Sequence, residues 1–462
     1  MKTSMPGSDA ARVRRCFKSY DVRGRIGADL DDVVIARIAS AFADVTGARN
    51  VVLGHDNRPS SAGFAAAAAQ AFTQAGCEVT DLGLCGTEEV YSATSHFAAG
   101  GGMCITASHN PLSDNGVKFV GAGSAPLPAD VFATMRERAA TVGGGWARGA
   151  GRLLNRGVEA RSAYVQRVLS FMDVQRLRPL RILVNAGHGA AGPTFDAIAA
   201  QLREMGAPLT FVRMNHEPDG RFPRGVPNPL LPENRHDTAD AVRACEADFG
   251  VAWDGDFDRC FFFDHTGTFI NGEYAVGLLA GHFLARDPGA AVVHDPRVVW
   301  NSQDIVKSLG GRAVQSRTGH VTIKQAMRET CAIYGGEMSA HHYFRDFHAC
   351  DSGMIPWLVM AEIISAHGPL ASLVRERRTA FPSSGEINVV VGDVAAALAR
   401  VRAAVAGQAR CDDTDGLSAD FGDWRFNLRA SNTEALLRLN VEARGRPALV
   451  ARGVEMIRPL LV

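Results

Sequence analysis

A loop at residues 106–111 gathers side chains that could act on a polar ligand. It reads Thr-Ala-Ser-His-Asn-Pro and directly follows an apolar segment at 103–105. Sheets of α/β proteins place their active groups in loops at the carboxyl ends of parallel strands. Ser108 offers a hydroxyl, His109 an imidazole and Asn110 an amide. Taken alone, the loop fits a turn better than a reactive site, because Ser and Asn often bond their own backbone.

Three carboxylates recur at alternate positions after a second apolar segment, at 249–253. Alternate side chains of an extended chain point to one side, where they could meet at one hard cation. A calcium-binding EF-hand begins with the same pattern but needs Gly at its sixth position and Glu at its twelfth. Those positions hold Arg259 and His265, so an EF-hand is excluded. Because apolar residues flank the run, we predict a metal site formed by Asp254, Asp256 and Asp258.

Two segments suit the hydroxyl groups of a sugar. The first alternates a carboxylate, a hydroxyl and an imidazole after a predicted strand, in Glu337, Ser339 and His341. The second offers similar polar groups, in Thr318, Gly319 and His320. Taken alone, each segment fits an ordinary polar loop equally well.

A turn at 429–434 suits a phosphate group. It can supply a guanidinium fork, hydroxyls and backbone N–H groups, from Arg429, Ser431, Asn432 and Thr433. An ordinary capping turn has a similar composition, so the segment by itself does not decide between the two.

Two cations could join the serine loop. Arg23 stands beside a glycine near the N-terminus, and Lys118 follows the serine by ten residues. The dipeptide Asn115-Gly116 is typical of a tight hairpin turn, which would fold Lys118 back toward Ser108. We expect Arg58, after the apolar segment 51–54, to be structural rather than catalytic.

The segments that position these residues alternate strand and helix. Predicted strands at 51–54, 79–82 and 103–105 alternate with helices at 60–76 and 87–99. Such alternation indicates a mostly parallel sheet covered on both faces. The pattern restarts near residue 180 and again near residue 273.

The last part of the chain is richer in strands and fits a small α+β domain. We therefore predict an α/β protein with three similar α/β domains, whose sheets are mixed and mostly parallel, and a C-terminal α+β domain. The predicted boundaries are 1–155, 156–268, 269–382 and 383–462.

Length and composition limit the class of protein. The chain has 462 residues, enough for three or four domains of about 100–200 residues each. A formal net charge of zero gives no reason to expect nucleic acid or a membrane surface as partner. Nine scattered cysteines without a CxxC pair favour a reducing cytoplasm over a disulfide framework. No signal peptide and no membrane span is recognisable in the sequence.

Together and in this order, the loops resemble those of the α-D-phosphohexomutase superfamily. Their sequences are most similar to those of the bacterial phosphomannomutases. The resemblance runs from about residue 17 to the end of the chain. Its matching segments are 20–24, 86–89, 106–118, 217–220, 254–259, 335–344 and 429–442. The resemblance implies four domains around one central cleft, with the C-terminal domain binding a phosphate.

The resemblance also implies a role for each loop. Ser108 would carry a phosphoryl group, and the three aspartates would hold Mg²⁺ together with the phosphoserine. The other implied catalytic residues are Arg23, His109, Lys118 and His341. The implied substrate-binding residues are Tyr20, Arg259, Arg297, Thr318, Gly319, His320, Glu337, Ser339, His341, Arg429, Ser431, Asn432, Thr433 and Arg438.

The activity implied is the reversible conversion of mannose 6-phosphate into mannose 1-phosphate through a phosphoserine and a hexose 1,6-bisphosphate, which would supply GDP-mannose and polysaccharide synthesis. Lys118, His109 and His341 are all candidates for the base that accepts the hydroxyl proton of the sugar. Phosphoglucomutase or dual specificity is the first alternative, and a phosphatase or a non-catalytic binding protein is less favoured. We expect hexose phosphates as partners, no nucleic acid, no membrane, and a monomer or homodimer.

Overall fold

The computed structural model describes residues 6–141, 149–297, 299–430 and 436–461 of the chain. In this part of the chain the strands form four sheets, and each sheet comes from its own stretch of sequence. The predicted fold class, α/β units with mixed sheets followed by a smaller α+β unit, is confirmed. The exact domain boundaries given above stay a prediction.

The first stretch contributes α1 (Pro6–Cys16), β1 (Val22–Arg25), α2 (Asp32–Thr46), β2 (Asn50–His55), α3 (Ser61–Gln74), β3 (Glu78–Leu84), α4 (Thr87–His96), β4 (Gly101–Ile105), β5 (Asp114–Gly121), α5 (Ala129–Thr141) and β6 (Arg152–Asn155). The sheet has the order β1-β5-β4-β2-β3-β6. Strands β6, β3, β2 and β4 run parallel, and β5 is antiparallel to both β4 and β1. Helices α1, α2, α3 and α5 cover one face and α4 covers the other.

Local sequence explains how these helices begin and end. In α2 the buried residues Val34, Ile38 and Phe42 recur at helical spacing and face the sheet. Asp31 caps this helix, because its carboxylate accepts a hydrogen bond of 2.9 Å from the Val34 N–H. Helix α3 ends two residues before Gly76, whose φ of 83° suits glycine, so the helix predicted at 60–76 is confirmed apart from its terminal residues.

The second stretch contributes α6 (Gly157–Leu169), β7 (Leu180–Asn185), α7 (Ala191–Glu204), β8 (Leu209–Met214), α8 (His236–Ala244), β9 (Phe249–Trp253), β10 (Cys260–Asp264) and β11 (Phe269–Ile270). The third contributes α9 (Gly272–Arg286), β12 (Ala291–His294), α10 (Trp300–Ser308), β13 (Arg312–Gln315), α11 (His320–Thr330), β14 (Tyr334–Gly336), β15 (His342–Phe344), β16 (Cys350–Asp351), α12 (Met354–His367) and α13 (Leu370–Ala380).

The first three sheets share the order of four strands and the position of an antiparallel edge strand, although the edge strand β1 precedes the others in the chain, whereas β11 and β16 follow theirs. The second has the order β8-β7-β9-β10-β11 and the third β13-β12-β14-β15-β16. In each, three parallel strands are followed by two antiparallel ones. The first sheet repeats this arrangement as β3-β2-β4-β5-β1. The three rounds of alternation in the sequence are therefore copies of one structural unit.

The fourth stretch contributes β17 (Ser383–Val390), α14 (Val394–Val405), β18 (Arg410–Asp412), β19 (Leu417–Asp420), β20 (Trp424–Ala430), β21 (Leu436–Ala443) and α15 (Pro447–Ile457). Its sheet is antiparallel throughout, in the order β17-β21-β20-β19-β18. Helices α14 and α15 pack on it and close a separate hydrophobic core.

Helix α12 lies in the interior between the second and third sheets. Its residues 354–364 are all buried, so it is apolar on every side rather than on one face. Across the described ranges, no single helix has the length and apolar character to cross a membrane. The bent pair α12 and α13, which meet at 89°, meets those two criteria only when taken together.

The predicted hairpin turn at Asn115-Gly116 is wrong, because both residues lie inside β5. Asn115 is buried, and its side-chain amide donates to the hydroxyls of Ser60 and Ser61 at 2.7 and 3.0 Å. A Cβ at Gly116 would lie 2.1 Å from the carbonyl oxygen of Val22. The glycine therefore serves the close approach of β1 and β5, and the chain reverses between β4 and β5 instead.

One buried carboxylate joins the third and fourth stretches. Glu442, in β21, accepts hydrogen bonds from the backbone N–H groups of Val299 and Trp300 at 2.8 and 3.1 Å. It also pairs with the buried Arg425 at 2.7 Å. These contacts cap the amino end of α10, where a negative charge is favourable.

We expect Glu442→Ala to lower the free energy of unfolding by about 3–5 kcal/mol, because it leaves Arg425 buried without its partner. Urea denaturation measures the change. The exposed Glu455, in the same C-terminal unit, provides the control variant Glu455→Ala, which should unfold like the parent. Equal stability of both variants would contradict a linking role for Glu442.

Candidate active site

The three related sheets present one loop each at the same position of the fold. The loops join β4 to β5, β9 to β10 and β14 to β15, and each follows the last parallel strand of its sheet. They contact each other in pairs. The Ser108 hydroxyl lies 2.8 Å from Asp254, and the Arg259 Nε lies 3.1 Å from the His341 Nε2. The predicted serine, aspartate and sugar loops therefore meet at one point.

Arg58 holds the serine loop in shape. The buried guanidinium donates four hydrogen bonds of 2.6–3.1 Å to backbone carbonyls, those of Ser108, Asn110, Pro111 and Asp114. Ser108 itself has a φ of 50°, a left-handed conformation that is uncommon outside glycine. Such a backbone persists where its surroundings fix it, and Arg58 supplies much of that constraint. Arg58 thus stabilises the serine loop, and the sequence-based expectation that it is structural rather than catalytic agrees with these contacts.

The aspartate loop brings its carboxylates together by turning, and the extended run predicted from the sequence is wrong. Phe257 has a φ of 47°, and its N–H donates to the Asp254 carbonyl at 3.2 Å, which closes a tight turn. Asp254, Asp256 and Asp258 are all buried, and one carboxylate oxygen from each lies within 4.8 Å of the others. Convergence therefore depends on the turn and not on strand alternation.

The chemistry of these carboxylates fits a hard divalent cation. The Oδ1 atoms of Asp254, Asp256 and Asp258 are buried and have no hydrogen-bond partner among the described residues. Burial and the charges of Asp258 and Asp256 raise the pKa of Asp254 to about 7. A cation bound between the three oxygens would satisfy them and relieve their repulsion.

Three basic side chains surround the carboxylates. The Lys118 Nζ lies 2.7 Å from Asp256 and 2.5 Å from Asp258. Burial opposes its charge, but the aspartates outweigh burial and raise the pKa of Lys118. Arg259 lies 3.5 Å from Asp254, and the Arg23 guanidinium donates to the Thr106 carbonyl in the serine loop at 2.5 Å. The site can therefore neutralise an anion placed on Ser108.

The two predicted catalytic histidines have opposite electrostatic surroundings. The His109 Nδ1 lies 3.0 Å from the Ser108 hydroxyl, and burial together with Arg259 holds the pKa of His109 well below its ordinary value. Burial would also lower the pKa of His341, but Asp258 and Glu337 raise it to about 9. The surroundings of His109 therefore favour the neutral imidazole, and those of His341 favour the protonated form.

Glu337 is fixed by contacts on both carboxylate oxygens. Oε1 accepts from the Gly319 N–H at 2.8 Å, and Oε2 accepts from the Tyr343 hydroxyl at 2.6 Å. Burial favours the neutral acid, but His341 and Arg297 outweigh burial and lower the pKa of Glu337. The side chain is therefore an ionised, oriented acceptor that suits a sugar hydroxyl.

The loop before α11 packs against the N-terminal segment. The ring of Tyr20 meets that of His320 edge-on at 4.8 Å. Gly319 has a φ of 125°, and a Cβ there would lie 2.8 Å from the Tyr20 hydroxyl. The Thr318 N–H donates to Asp415 of the fourth unit at 3.1 Å. These predicted substrate-binding residues lie where the first, third and fourth units contact one another.

Arginines from the third and fourth units converge on a further anion site. Arg297 donates to Ser339 at 3.2 Å, and Glu386 lies 3.5 Å from Arg297 and 3.4 Å from Arg438. Burial, Arg297 and Arg438 lower the pKa of Arg429. This concentration of positive charge suits a phosphate. The predicted residues Ser431, Asn432 and Thr433 lie outside the described residues.

Sequence reasoning missed several residues that orient the site. Asp295 accepts hydrogen bonds from Arg297 and from the backbone N–H of Met338 at 2.8 Å, and so shapes the sugar loop. Tyr343 orients Glu337, and Thr87 donates to Asp256 at 2.6 Å. The segments 86–89 and 335–344 carried the family resemblance, which was the available signal for Thr87 and Tyr343. No local pattern pointed to Asp295.

Comparison with known proteins gives matches along nearly the whole chain. Models of phosphoglucomutase/phosphomannomutase α/β/α domains I, II and III match residues 14–143, 162–267 and 271–381, and the C-terminal domain matches 386–460. A phosphomannomutase of Salmonella montevideo is 50% identical over 449 residues, covering 96% of this chain and 98% of that protein. A Xanthomonas campestris pv. campestris protein described as phosphohexose mutases is 51% identical over 449 residues, with the same two coverages.

A crystal structure gives the same result at the level of the fold. The phosphoglucomutase/phosphomannomutase family protein from Burkholderia thailandensis superposes with a TM-score of 0.85 at 30% sequence identity. The match covers 97% of each chain. The four-unit arrangement is therefore shared over nearly the whole of both chains.

We expect Arg58→Lys to loosen the serine loop. A lysine ammonium cannot replace the guanidinium group, which donates hydrogen bonds to four backbone carbonyls. Hydrogen exchange followed by mass spectrometry should show faster deuteration, at least tenfold, in peptides spanning 106–114. The exposed Arg49 provides the control Arg49→Lys, which should exchange like the parent. Unchanged hydrogen exchange in Arg58→Lys would show that Arg58 does not hold the serine loop in shape.

Proposed function

Because the chain belongs to the phosphoglucomutase/phosphomannomutase family, we propose that it interconverts mannose 6-phosphate and mannose 1-phosphate through a phosphoserine at Ser108. The observation that carries the proposal is the position of the Ser108 hydroxyl. It lies 2.8 Å from a buried carboxylate of the aspartate cluster, with Lys118, Arg23 and Arg259 close by. That setting suits a serine that gives and receives phosphoryl groups.

The resident metal that fits this site is Mg²⁺. Asp254, Asp256 and Asp258 would hold it together with an oxygen of the phosphoserine. Their buried Oδ1 atoms, which accept no hydrogen bond from the described residues, support this assignment. When bound, the ion would supply positive charge against the oxygens of the transferring phosphoryl group.

The residues of the chain provide positioning and charge for the transfer. Arg429 and Arg438 bind the phosphate that is not transferred, and Glu337 accepts hydrogen bonds from the sugar hydroxyls. A sugar hydroxyl then attacks the phosphorus of the phosphoserine and gives its proton to a base. The candidates for this base are Lys118, His109 and His341. The bond from phosphorus to the Ser108 oxygen breaks, and that oxygen takes up a proton to become the serine hydroxyl. Lys118 and Arg259 stabilise the charge of the in-line transfer, which needs little covalent chemistry from a protein.

The product of the first transfer is a hexose 1,6-bisphosphate. It turns over within the cleft, so that its other phosphate reaches Ser108, and the phosphoryl group returns to the serine. The cation cluster of Arg297, Arg429 and Arg438 then binds the phosphate left on the sugar in the second orientation. One site therefore serves both half-reactions.

We further propose a reducing, cytoplasmic compartment. All nine cysteines are free thiols, and most of them are buried in the cores. The expectations of a monomer or homodimer and of no nucleic-acid partner stay predictions.

Ser108→Ala should abolish turnover of mannose 1-phosphate, by at least a factor of about 1,000, because the carrier oxygen is lost. The assay contains Mg²⁺ and a catalytic amount of hexose 1,6-bisphosphate and measures mannose 6-phosphate. Ser113 is exposed on the same connection, so Ser113→Ala is the matched control and should retain activity. Turnover by Ser108→Ala would contradict the proposal, and release of inorganic phosphate without mannose 6-phosphate would show a phosphatase.

Glu337→Gln should lower kcat/KM for mannose 1-phosphate about 10- to 100-fold, because a charged acceptor of the sugar hydroxyls becomes neutral. Because the buried carboxylate also pairs with His341 and Arg297, the amide should lower thermal stability, so kcat/KM is measured at a temperature at which the variant is folded. Glu329 is exposed on the neighbouring helix, and Glu329→Gln serves as the control. Equal kcat/KM for both variants would exclude Glu337 from sugar recognition.

A further inference from the structure

A threonine of the first unit reaches into the aspartate loop of the second. Thr87 is the first residue of α4, and it lies 169 positions before Asp256 in the chain. Its hydroxyl donates to the Asp256 Oδ2 at 2.6 Å, and its backbone N–H donates to the Asp256 carbonyl at 3.3 Å. Both residues are fully buried. Asp256 is thus held at its backbone and its side chain by one residue from another sheet.

The aspartate loop needs such an anchor because its backbone is strained. Phe257, between two of the carboxylates, is a bulky residue with a φ of 47°. Its buried ring lies against Gly86, where a Cβ would come within 2.2 Å of the ring. The pair Gly86-Thr87 therefore contacts the loop on both sides of its turn. One residue accommodates the Phe257 ring and the other binds the Asp256 carboxylate.

The contact also determines which oxygen of Asp256 remains available. Oδ2 accepts hydrogen bonds from Thr87 and from Lys118, at 2.6 and 2.7 Å. Oδ1 is buried and has no hydrogen-bond partner among the described residues, like the Oδ1 atoms of Asp254 and Asp258. Lys118 has a long, flexible side chain, whereas Thr87 has a single χ angle that its burial fixes. The threonine is therefore the rigid partner that sets the rotation of the carboxylate.

We propose that Thr87 is a positioning residue for the divalent metal, acting through the carboxylate of Asp256. This inference rests on the proposed function, because it concerns the metal that the phosphoryl transfer requires. Residues that orient a metal ligand contribute to affinity without touching the ion, and their loss usually weakens binding 10- to 100-fold. Because Thr87 and the aspartates belong to different sheets, metal affinity also depends on the docking of the first unit against the second.

The test measures binding of Mn²⁺ to chelator-treated, full-length protein by the paramagnetic resonance signal of the free ion, with Mg²⁺ as competitor. Thr87→Val removes the donor and keeps the branched shape, and we expect its Kd for Mn²⁺ to rise 10- to 100-fold. Thr87→Ser restores the hydroxyl and should bind within about threefold of the parent. Intact mass confirms that all preparations carry the same phosphorylation state at Ser108.

Thr94→Val is the matched control. Thr94 is also buried in α4, but its hydroxyl donates to the Val90 carbonyl at 2.7 Å, away from the aspartates. The control loses one buried hydrogen bond, so a fall in thermal stability without a change in Kd separates positioning from folding. A folded Thr87→Val that binds Mn²⁺ like the parent would overturn the role of Thr87 and leave the proposed function intact.

The remaining outcomes distinguish the two proposals. If the parent protein binds no Mn²⁺, both the metal assignment and the role of Thr87 are wrong. If Thr87→Val loses affinity while the parent fails to convert mannose 1-phosphate, the positioning role stands and the proposed function is wrong. Weakened binding in both Thr87→Val and Thr87→Ser would show that the methyl packing, and not the hydroxyl, maintains the site, and would also overturn the proposal.

Discussion

Three carboxylates buried within 4.8 Å of one another are the constraint on which the rest of the site depends. In a low-dielectric interior, like charges at this distance repel strongly unless cations compensate them. Lys118 pairs with two of the aspartates and Arg259 lies close to the third, and the buried Oδ1 atoms, which have no hydrogen-bond partner among the described residues, are left for a metal. The same positive groups that compensate the aspartates can then neutralise a phosphoryl group on Ser108, so one electrostatic arrangement serves both stability and chemistry.

A repeated fold supplies the separate parts of this arrangement. The serine, aspartate and sugar loops occupy equivalent positions in three sheets that share the order of four strands, each after the last parallel strand. The three loops therefore carry different side chains, whereas their position after the last parallel strand is the same in each unit. The antiparallel strand that follows each loop returns the chain beside it, which is how Lys118 in β5 reaches the aspartates. The fourth unit adds Arg429 and Arg438, which we propose bind the phosphate that is not transferred.

The sequence was informative where function lies in short segments and uninformative where it lies in contacts between distant ones. The three aspartates could be predicted as a metal site from their spacing, whereas the roles of Ser108 and Glu337 were predicted from the family resemblance, because their loops alone fit ordinary turns as well or better. These roles stay predictions, although the structure brings the three loops together. The Asn115-Gly116 turn was wrong because packing against β1 outweighed local turn preference. The convergence of the aspartates came from a strained turn at Phe257 that no periodicity reveals. Arg58 contacts carbonyls fifty or more residues away, and Thr87 contacts Asp256 at 169 residues, so their roles become visible only in the fold.

The central claim is that Ser108 carries a phosphoryl group reversibly between protein and sugar. The most direct test is to label the phosphoserine with ³²P, remove free label, add unlabelled mannose 6-phosphate and Mg²⁺, and separate the products within one turnover. We expect the label to leave the protein and to appear in hexose bisphosphate and hexose monophosphate. Label that stays on the protein, or that appears mainly as inorganic phosphate, would contradict the claim.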